Sequence, residues 1–440
     1  MKKYCIKILC CISVLISYSC QDYLDEKPQK SLVVPATVDD VRALLDSYSF
    51  LNANSLISFI LADDWVTTSQ NWETLNPWEQ NAYLWKKSVF EPNERSGDYQ
   101  SLHGRVFYGN VSLDILEKID DTSDSGNSVL IGEALALRAR AMFELAQLFL
   151  PSPNSALANE TRIPVNLKSD INATLEMLNV YEVLELAKAD LEAAFTRLPD
   201  QAQYKTRADK SVAKSFLARI YLYEGEWQEA YNSAAYVVQQ KGELMDYSTL
   251  DSASSYPFSL FNTETLFYSM TSSFPVTASA ATFILPELYS MYGESDLRKS
   301  LFFTLDQSGL PLFKGSYTGD FNLFTGISMA EAYLVAAESA IRLSEVDNGL
   351  AHLNALGVKR YSDFEEWSEL EEEKALELVL EERRKELVFR GLRWYDMKRL
   401  NELGLGLEAS REINGIVYSL SSADQYTLEL PPYEIELGNR

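Results

Sequence analysis

Past residue 20 the sequence contains no cysteine: Cys5, Cys10, Cys11 and Cys20 are the four in 440 residues. That excludes a disulfide framework and any cysteine-ligated metal from the body of the chain. Histidine is almost as scarce. His103 and His352 are the only two, and neither belongs to a His-Glu-x-x-His or Cys-His arrangement, so histidine metal binding or acid–base catalysis has little to draw on. Positive charge is also short, with 39 Lys and Arg against 64 Asp and Glu and a net charge of −25. A surface that acidic offers no counterion release to nucleic acid and no pull toward anionic lipid. Phosphate loops are missing too: Gly404 and Gly406 lack the third glycine and the preceding strand of a dinucleotide fingerprint. Asp120, Asp121, Asp124, Gly126 and Asn127 have the composition of a calcium loop without the Glu at its twelfth position, and read as a solvated acidic turn. Neither a metal nor a cofactor is expected.

The first 36 residues read as targeting. Lys2, Lys3 and Lys7 flank the start of an apolar run, 8–18, of signal-peptide length and too short to span a bilayer. Ser17 and Ser19 stand just before Cys20, and an acidic stretch follows. The arrangement resembles a bacterial lipoprotein signal. Residues 1–19 are then the removed signal, Cys20 is the lipid anchor, and 20–36 form a tether. Thiol chemistry fits, because a thioether can carry a diacylglycerol, and more than one acyl chain anchors firmly.

Beyond the tether, apolar residues recur with helical period over 37–50, 100–119, 130–150, 180–198, 211–223, 227–240, 329–343, 349–359 and 370–390. Strand signals are few. The 211–240 stretch is two helices joined by Glu224, Gly225 and Glu226, with Ala218, Tyr221, Trp227 and Ala230 spaced as in tetratricopeptide repeats. Residues 329–360 offer a second pair, with Ala336, Ala337 and Ala340 facing Ala351 and Leu353, and 130–150 with 180–198 a third. Such hairpins bury their apolar faces only by stacking. An all-α, tetratricopeptide-like repeat scaffold over a single domain, 37–440, follows.

Two segments, 63–97 and 245–325, lack a helical period and read as loop-rich insertions carrying function. The first holds Trp65, Trp72, Trp78 and Trp85, four of seven tryptophans within 21 residues, with Tyr83 and Phe90. Aromatic faces pack on the C–H faces of sugars or on peptide side chains, and Asn71, Asn76, Asn81, Asp63 and Asp64 are at hand for hydrogen bonds. Trp65, Trp72, Trp78, Trp85, Tyr83, Asn71 and Asn76 are therefore the ligand-binding candidates. A second aromatic set is Tyr256, Phe258, Phe261, Phe274, Tyr289 and Tyr292. No carboxylate pair stands out for glycoside hydrolysis, and no residue is assigned a catalytic role.

Several motifs in order carry a family resemblance. They are "QDYLDEKP" after Cys20, "GEALALRARAMFEL" at 132–145, "IPV" at 163–165, the helices at 180–199 and 211–230, and "LELPPYEIELGNR" at the end. The most specific is "EERRKELVFRGLRWYDMKRL", 381–400. Together they resemble the SusD/RagB family of Bacteroidetes lipoproteins, with 370–440 as its signature region. The resemblance implies a non-catalytic outer-membrane lipoprotein facing the cell exterior, which captures oligosaccharides or oligopeptides for a SusC-like TonB-dependent transporter. A structural or protein-binding repeat lipoprotein is the alternative, and a surface hydrolase a weaker one. Within the signature, Arg383, Arg384, Glu386, Arg393 and Asp396 are spaced to pair within one helix and its cap, with Phe389, Trp394 and Tyr395 packing on the repeats.

Overall fold

The computed structural model describes residues 35–119, 125–271 and 282–438. The expected export signal with Cys20, the acidic residues Asp120, Asp121 and Asp124, and Phe274 lie outside them.

Ten longer helices carry the architecture: α1 Val38–Leu45, α2 Gly97–Ile119, α3 Ser125–Phe149, α4 Val180–Phe195, α5 Lys210–Glu224, α6 Trp227–Lys241, α7 Met329–Arg342, α8 Val346–Gly357, α9 Glu372–Glu386 and α10 Arg393–Glu402. Their starts are written in local chemistry. Thr37 accepts from the Asp40 amide while the Asp40 carboxylate accepts from the Thr37 amide, and Asn179 and Glu182 make the same reciprocal cap on α4. Gly225, at φ 83°, ends α5 in the left-handed conformation, which costs a residue without a Cβ little.

Each helix from α2 to α8 packs on the next, and α9 returns against α7. Small residues set the approach: Ala218, Ala230, Ala234 and Ala336 form one cluster joining α5, α6 and α7. The two hairpins read from the sequence are thus stacked. At Gly349 an added Cβ would stand 2.9 Å from the Ala337 carbonyl oxygen, which is why α8 approaches α7 so closely. Ala351 departs from expectation and faces solvent, while Leu353 is buried.

The irregular segments are built from short helices and two-stranded antiparallel pairs. Trp65–Val66 pairs with Phe283–Ile284, and Met270–Thr271 with Leu323–Phe324. Both pairings join residues far apart in sequence, so the lobe is knitted by non-local contacts that leave no periodicity to read. The expected helix over 370–390 also ends early. Phe389, at φ 55°, and Gly391, at φ 73°, turn the chain before α10 starts.

Signature charges pair mostly outside their own helix, contrary to the local pairing expected. Arg383 does donate to Asp396 (2.8 Å). Arg384 and Arg393 instead reach Asp63, at 3.1 and 2.6 Å, and Glu386 accepts from Arg360 and Arg298. Those last contacts belong to a buried network. Arg360 donates to Glu264 (2.7 Å) and Glu386 (3.0 Å); Arg298 donates to Asp296 (2.9 Å), Glu382 (2.7 Å) and Glu386 (3.2 Å); Lys385 donates to Glu382 (2.8 Å). Helical spacing cannot show partners about a hundred residues away. Arg360→Met would leave Glu264 and Glu386 buried without that guanidinium, and breaking such a site costs roughly 3–5 kcal/mol. Urea denaturation should register that loss as an early midpoint.

Candidate ligand-binding groove

The tryptophan-rich segment divides into anchors and one open wall. Trp65, Tyr83 and Trp85 are 2%, 1% and 4% exposed. Their rings surround the Arg411 guanidinium at 5.4, 4.0 and 4.2 Å. Arg411 comes from the hairpin strand Ala409–Ile413, donates to the carbonyls of Tyr83, Ile60 and Ala62, and is pushed down to about 10 by burial. Both indole N–H groups are spent on the backbone, Trp65 on Phe59 (2.9 Å) and Trp85 on Leu61 (2.8 Å). These three expected ligand residues have no face open to a ligand and anchor the segment instead.

The polar candidates are likewise committed. Asn71 donates to Thr67 Oγ1 (2.8 Å), and Asn76 donates to Glu79 (2.6 Å) in the capping box of Pro77–Tyr83. Trp72 is half-buried, with its indole donating to Gln80 (3.3 Å). Asn81 is buried and donates to the Val89 carbonyl. In the second set, Phe258 and Tyr292 are core, Tyr289 is half-buried, and Tyr256 and Phe261 are exposed. Phe261 takes a positive φ of 55° with its ring edge-on to Tyr268. His103 is packed against Tyr99 at 4.3 Å, and burial lowers it to about 4.

Trp78 is the exception. Its half-buried ring stacks on Phe90, 6.3 Å between centroids at 20°, and lines a groove of about 410 Å³. Phe50, 38% exposed, is a further aromatic face, lying over Gly104, where an added Cβ would come within 3.2 Å of the ring. Polar groups come from the approach to α2 and its first turns: Arg95, Asp98, Ser101 and Arg105. Across from them, Asn54 accepts from Ser269 Oγ (2.6 Å) and Thr325 Oγ1 (3.0 Å), which leaves its amide nitrogen without a partner among the described residues. The 48–54 segment bridges both halves of the fold, since Ala53 pairs with Met270 while Phe50 packs on Tyr108 of α2. Phe50, Asn54 and Arg95 were not among the sequence candidates. Phe50 sits at the end of a helical pattern, where nothing marks it as exposed.

Charges near the groove are fixed. Burial raises Asp98 to about 6, although it accepts from the amides of Leu56 (3.1 Å) and Ile57 (2.9 Å). Asp63 and Asp64, expected at the rim, are buried. Burial pushes Asp63 up, but the Arg393 and Arg384 guanidiniums more than offset it and hold the carboxyl low. Asp64 goes the other way, raised first by burial and then by the adjacent Asp63. A carboxyl raised in the fold favours folding below its unfolded pKa and loses that advantage as pH climbs through the folded value. Asp64→Asn should therefore be more stable than the parent at pH 7.5, by on the order of 1–3 kcal/mol, and indistinguishable near pH 3. Thermal melting at the two pH values checks this.

A family model described as starch-binding associating with outer membrane matches residues 22–222, and a SusD family model matches residues 318–430. A SusD-like protein of Formosa agariphila is 24% identical over 240 residues, 51% of this chain. That match spans 44% of the relative's own length. A SusD superfamily protein from Bacteroides vulgatus superposes with a TM-score of 0.74 at 20% identity, covering 92% of this chain and 98% of its own. A SusD-like carbohydrate binding protein from the same species gives 0.69 at 17% identity, over 91% and 96%. A Bacteroides thetaiotaomicron SusD superfamily structure gives 0.73 at 20%, over 91% and 97%. The helical repeats, the irregular lobe and the signature helix are common property of that fold, and with two models of one family matching in order along its length, the chain belongs to the SusD/RagB family.

Proposed function

We propose that this protein is a cell-surface lipoprotein that captures an oligosaccharide in the groove walled by Trp78 and delivers it to a SusC-like TonB-dependent outer-membrane transporter. The groove carries the proposal. Its volume suits a small ligand, and the Trp78 and Phe50 rings provide apolar faces beside the Asn54 amide and the Arg95 guanidinium. Sugars present that same pairing of C–H faces and hydroxyl rims. An oligosaccharide is preferred to an oligopeptide because the matching family model is described as starch-binding and one structural neighbour as carbohydrate binding. Retention follows from Cys20: 1–19 would be removed, the lipidated Cys20 would hold the tether 20–36, and 37–440 would form one domain. Among the described residues no helix is long and apolar enough to cross a membrane.

Binding without turnover fits the groove's chemistry. Among the described residues Asp98 is the one carboxylate lining it, and both its oxygens are engaged by backbone amides. Glycoside hydrolysis ordinarily needs two carboxyl groups across the bond.

Calorimetry of the chain from residue 21 onward against pooled oligosaccharides and pooled peptides tests the ligand class. Saturable heat is expected with the oligosaccharides alone; heat with peptides alone, or with neither, would count against the proposal. Trp78→Ala should weaken that binding about tenfold or more, the order of one lost ring contact, with only a small loss of melting temperature because the ring is half-buried. Trp85→Ala, by contrast, should lower the melting temperature. Mass spectrometry of the mature N-terminus should find a lipidated Cys20.

A further inference from the structure

Where α3 and α5 meet the signature helices, the interior contains a cavity of about 40 Å³ lined by Arg140, Glu144, Arg219, Tyr223, Arg383 and Arg399 among others. That is room for about three waters, or for a small ion and a water. Most of these guanidiniums own a carboxylate. Arg219 is bidentate to Glu331 (2.6 and 2.7 Å), Arg399 is bidentate to Glu338 (2.7 and 2.8 Å), and Arg383 donates to Asp396 (2.8 Å). Arg140 has none. It donates to the Leu51 carbonyl and lies over the Phe267 ring at 5.2 Å. Glu144, one turn along the same helix, already accepts from the Ser55 amide (2.8 Å) and faces Arg105 at 3.8 Å.

Among the described residues, the charges that line the cavity and those grouped with them do not balance. Arg105, Arg140, Arg219, Arg342, Arg383 and Arg399 make six cations, and Asp98, Glu144, Glu331, Glu338 and Asp396 make five carboxylates. Hydrogen bonding is lopsided in the same direction. Among the described residues, Arg140 Nη1, Arg383 Nη1 and the Tyr223 hydroxyl are buried donors without a partner, against one carboxylate oxygen, Glu144 Oε2. Arg140 and Arg383 are both 5% exposed and Tyr223 2%. A water molecule accepts two hydrogen bonds and must place two hydrogens of its own; an anion accepts from every donor and also neutralises the excess cation.

We propose that this cavity binds a small monovalent anion of chloride size, held by Arg140 Nη1, Arg383 Nη1 and the Tyr223 hydroxyl. The anion fills the junction between the repeat scaffold and the signature helices. Asn54 lines both this cavity and the ligand groove, so the anion also sits beneath the groove's floor. The site stands on its own residues and does not depend on which ligand the groove takes.

The test is thermal melting of the full-length chain in chloride against gluconate at constant ionic strength, together with crystals grown in bromide. Chloride should raise the melting temperature logarithmically above half-saturation, by on the order of 2 °C for each tenfold in concentration. Bromide should give an anomalous peak within hydrogen-bond reach of Arg140. Arg140→Leu should abolish the chloride dependence. If that variant fails to fold, Tyr223→Phe, which keeps the ring, should raise the half-saturating chloride concentration about tenfold by removing one donor to the ion. A melting temperature indifferent to chloride overturns the proposal, as does electron density that only water explains. A bromide peak without any solution effect marks an adventitious ion only and overturns it too.

Discussion

Everything in this fold leans on the neutralisation of three buried cations, Arg298, Arg360 and Lys385, by Glu264, Asp296, Glu382 and Glu386. Burying charge is expensive, and the Coulombic return repays it only when geometry is good and the remaining donors are satisfied. Here they are: the Tyr361 hydroxyl donates to Glu382 (2.5 Å), and the Arg360 guanidinium covers the Tyr247 ring at 3.7 Å. Because the acids come from α9 and from the irregular lobe, the network specifies where that lobe sits on the repeats. An apolar interface of similar area would tolerate sliding; this one has a single arrangement in which every cation meets its carboxylates.

The groove inherits its shape from that constraint. One wall, Trp78 with Phe90, stands on the segment anchored by the Arg411 cage. The opposite side runs through Asn54 to Ser269 and Thr325 in the lobe. Neither side could hold a fixed distance if the lobe moved, so rigidity at the ion network becomes width at the groove. Preorganisation of this kind lowers the ordering cost of capturing a ligand.

Much of this was legible in the residues. Helix positions follow the 3.6-residue period, and the structure shifts most spans by only a few residues at either end. The repeat hairpins were visible because alanines recur at the helix crossings. What stayed hidden was which partner each charge and each ring would choose. Arg384 and Arg393 look as though they could pair along their own chain, yet both reach Asp63, more than 300 residues earlier. Four clustered tryptophans look alike in sequence. Arg411, from the far end of the chain, draws Trp65 and Trp85 inward and leaves Trp78 at the groove. The lobe was legible only as an absence of period, since its strands are two or three residues long and pair across large separations.

The long reach of the buried ion pairs has a kinetic side. Arg298 lies 88 residues before Glu386, and Glu264 lies 96 residues before Arg360. Contacts so distant form late, because loop closure must be met before they give anything back. Until α9 docks, the lobe holds the Arg298 guanidinium without the Glu382 and Glu386 carboxylates that neutralise it. Loop-closure entropy alone should order the assembly from the local helix hairpins outward to the lobe, with the groove completed last.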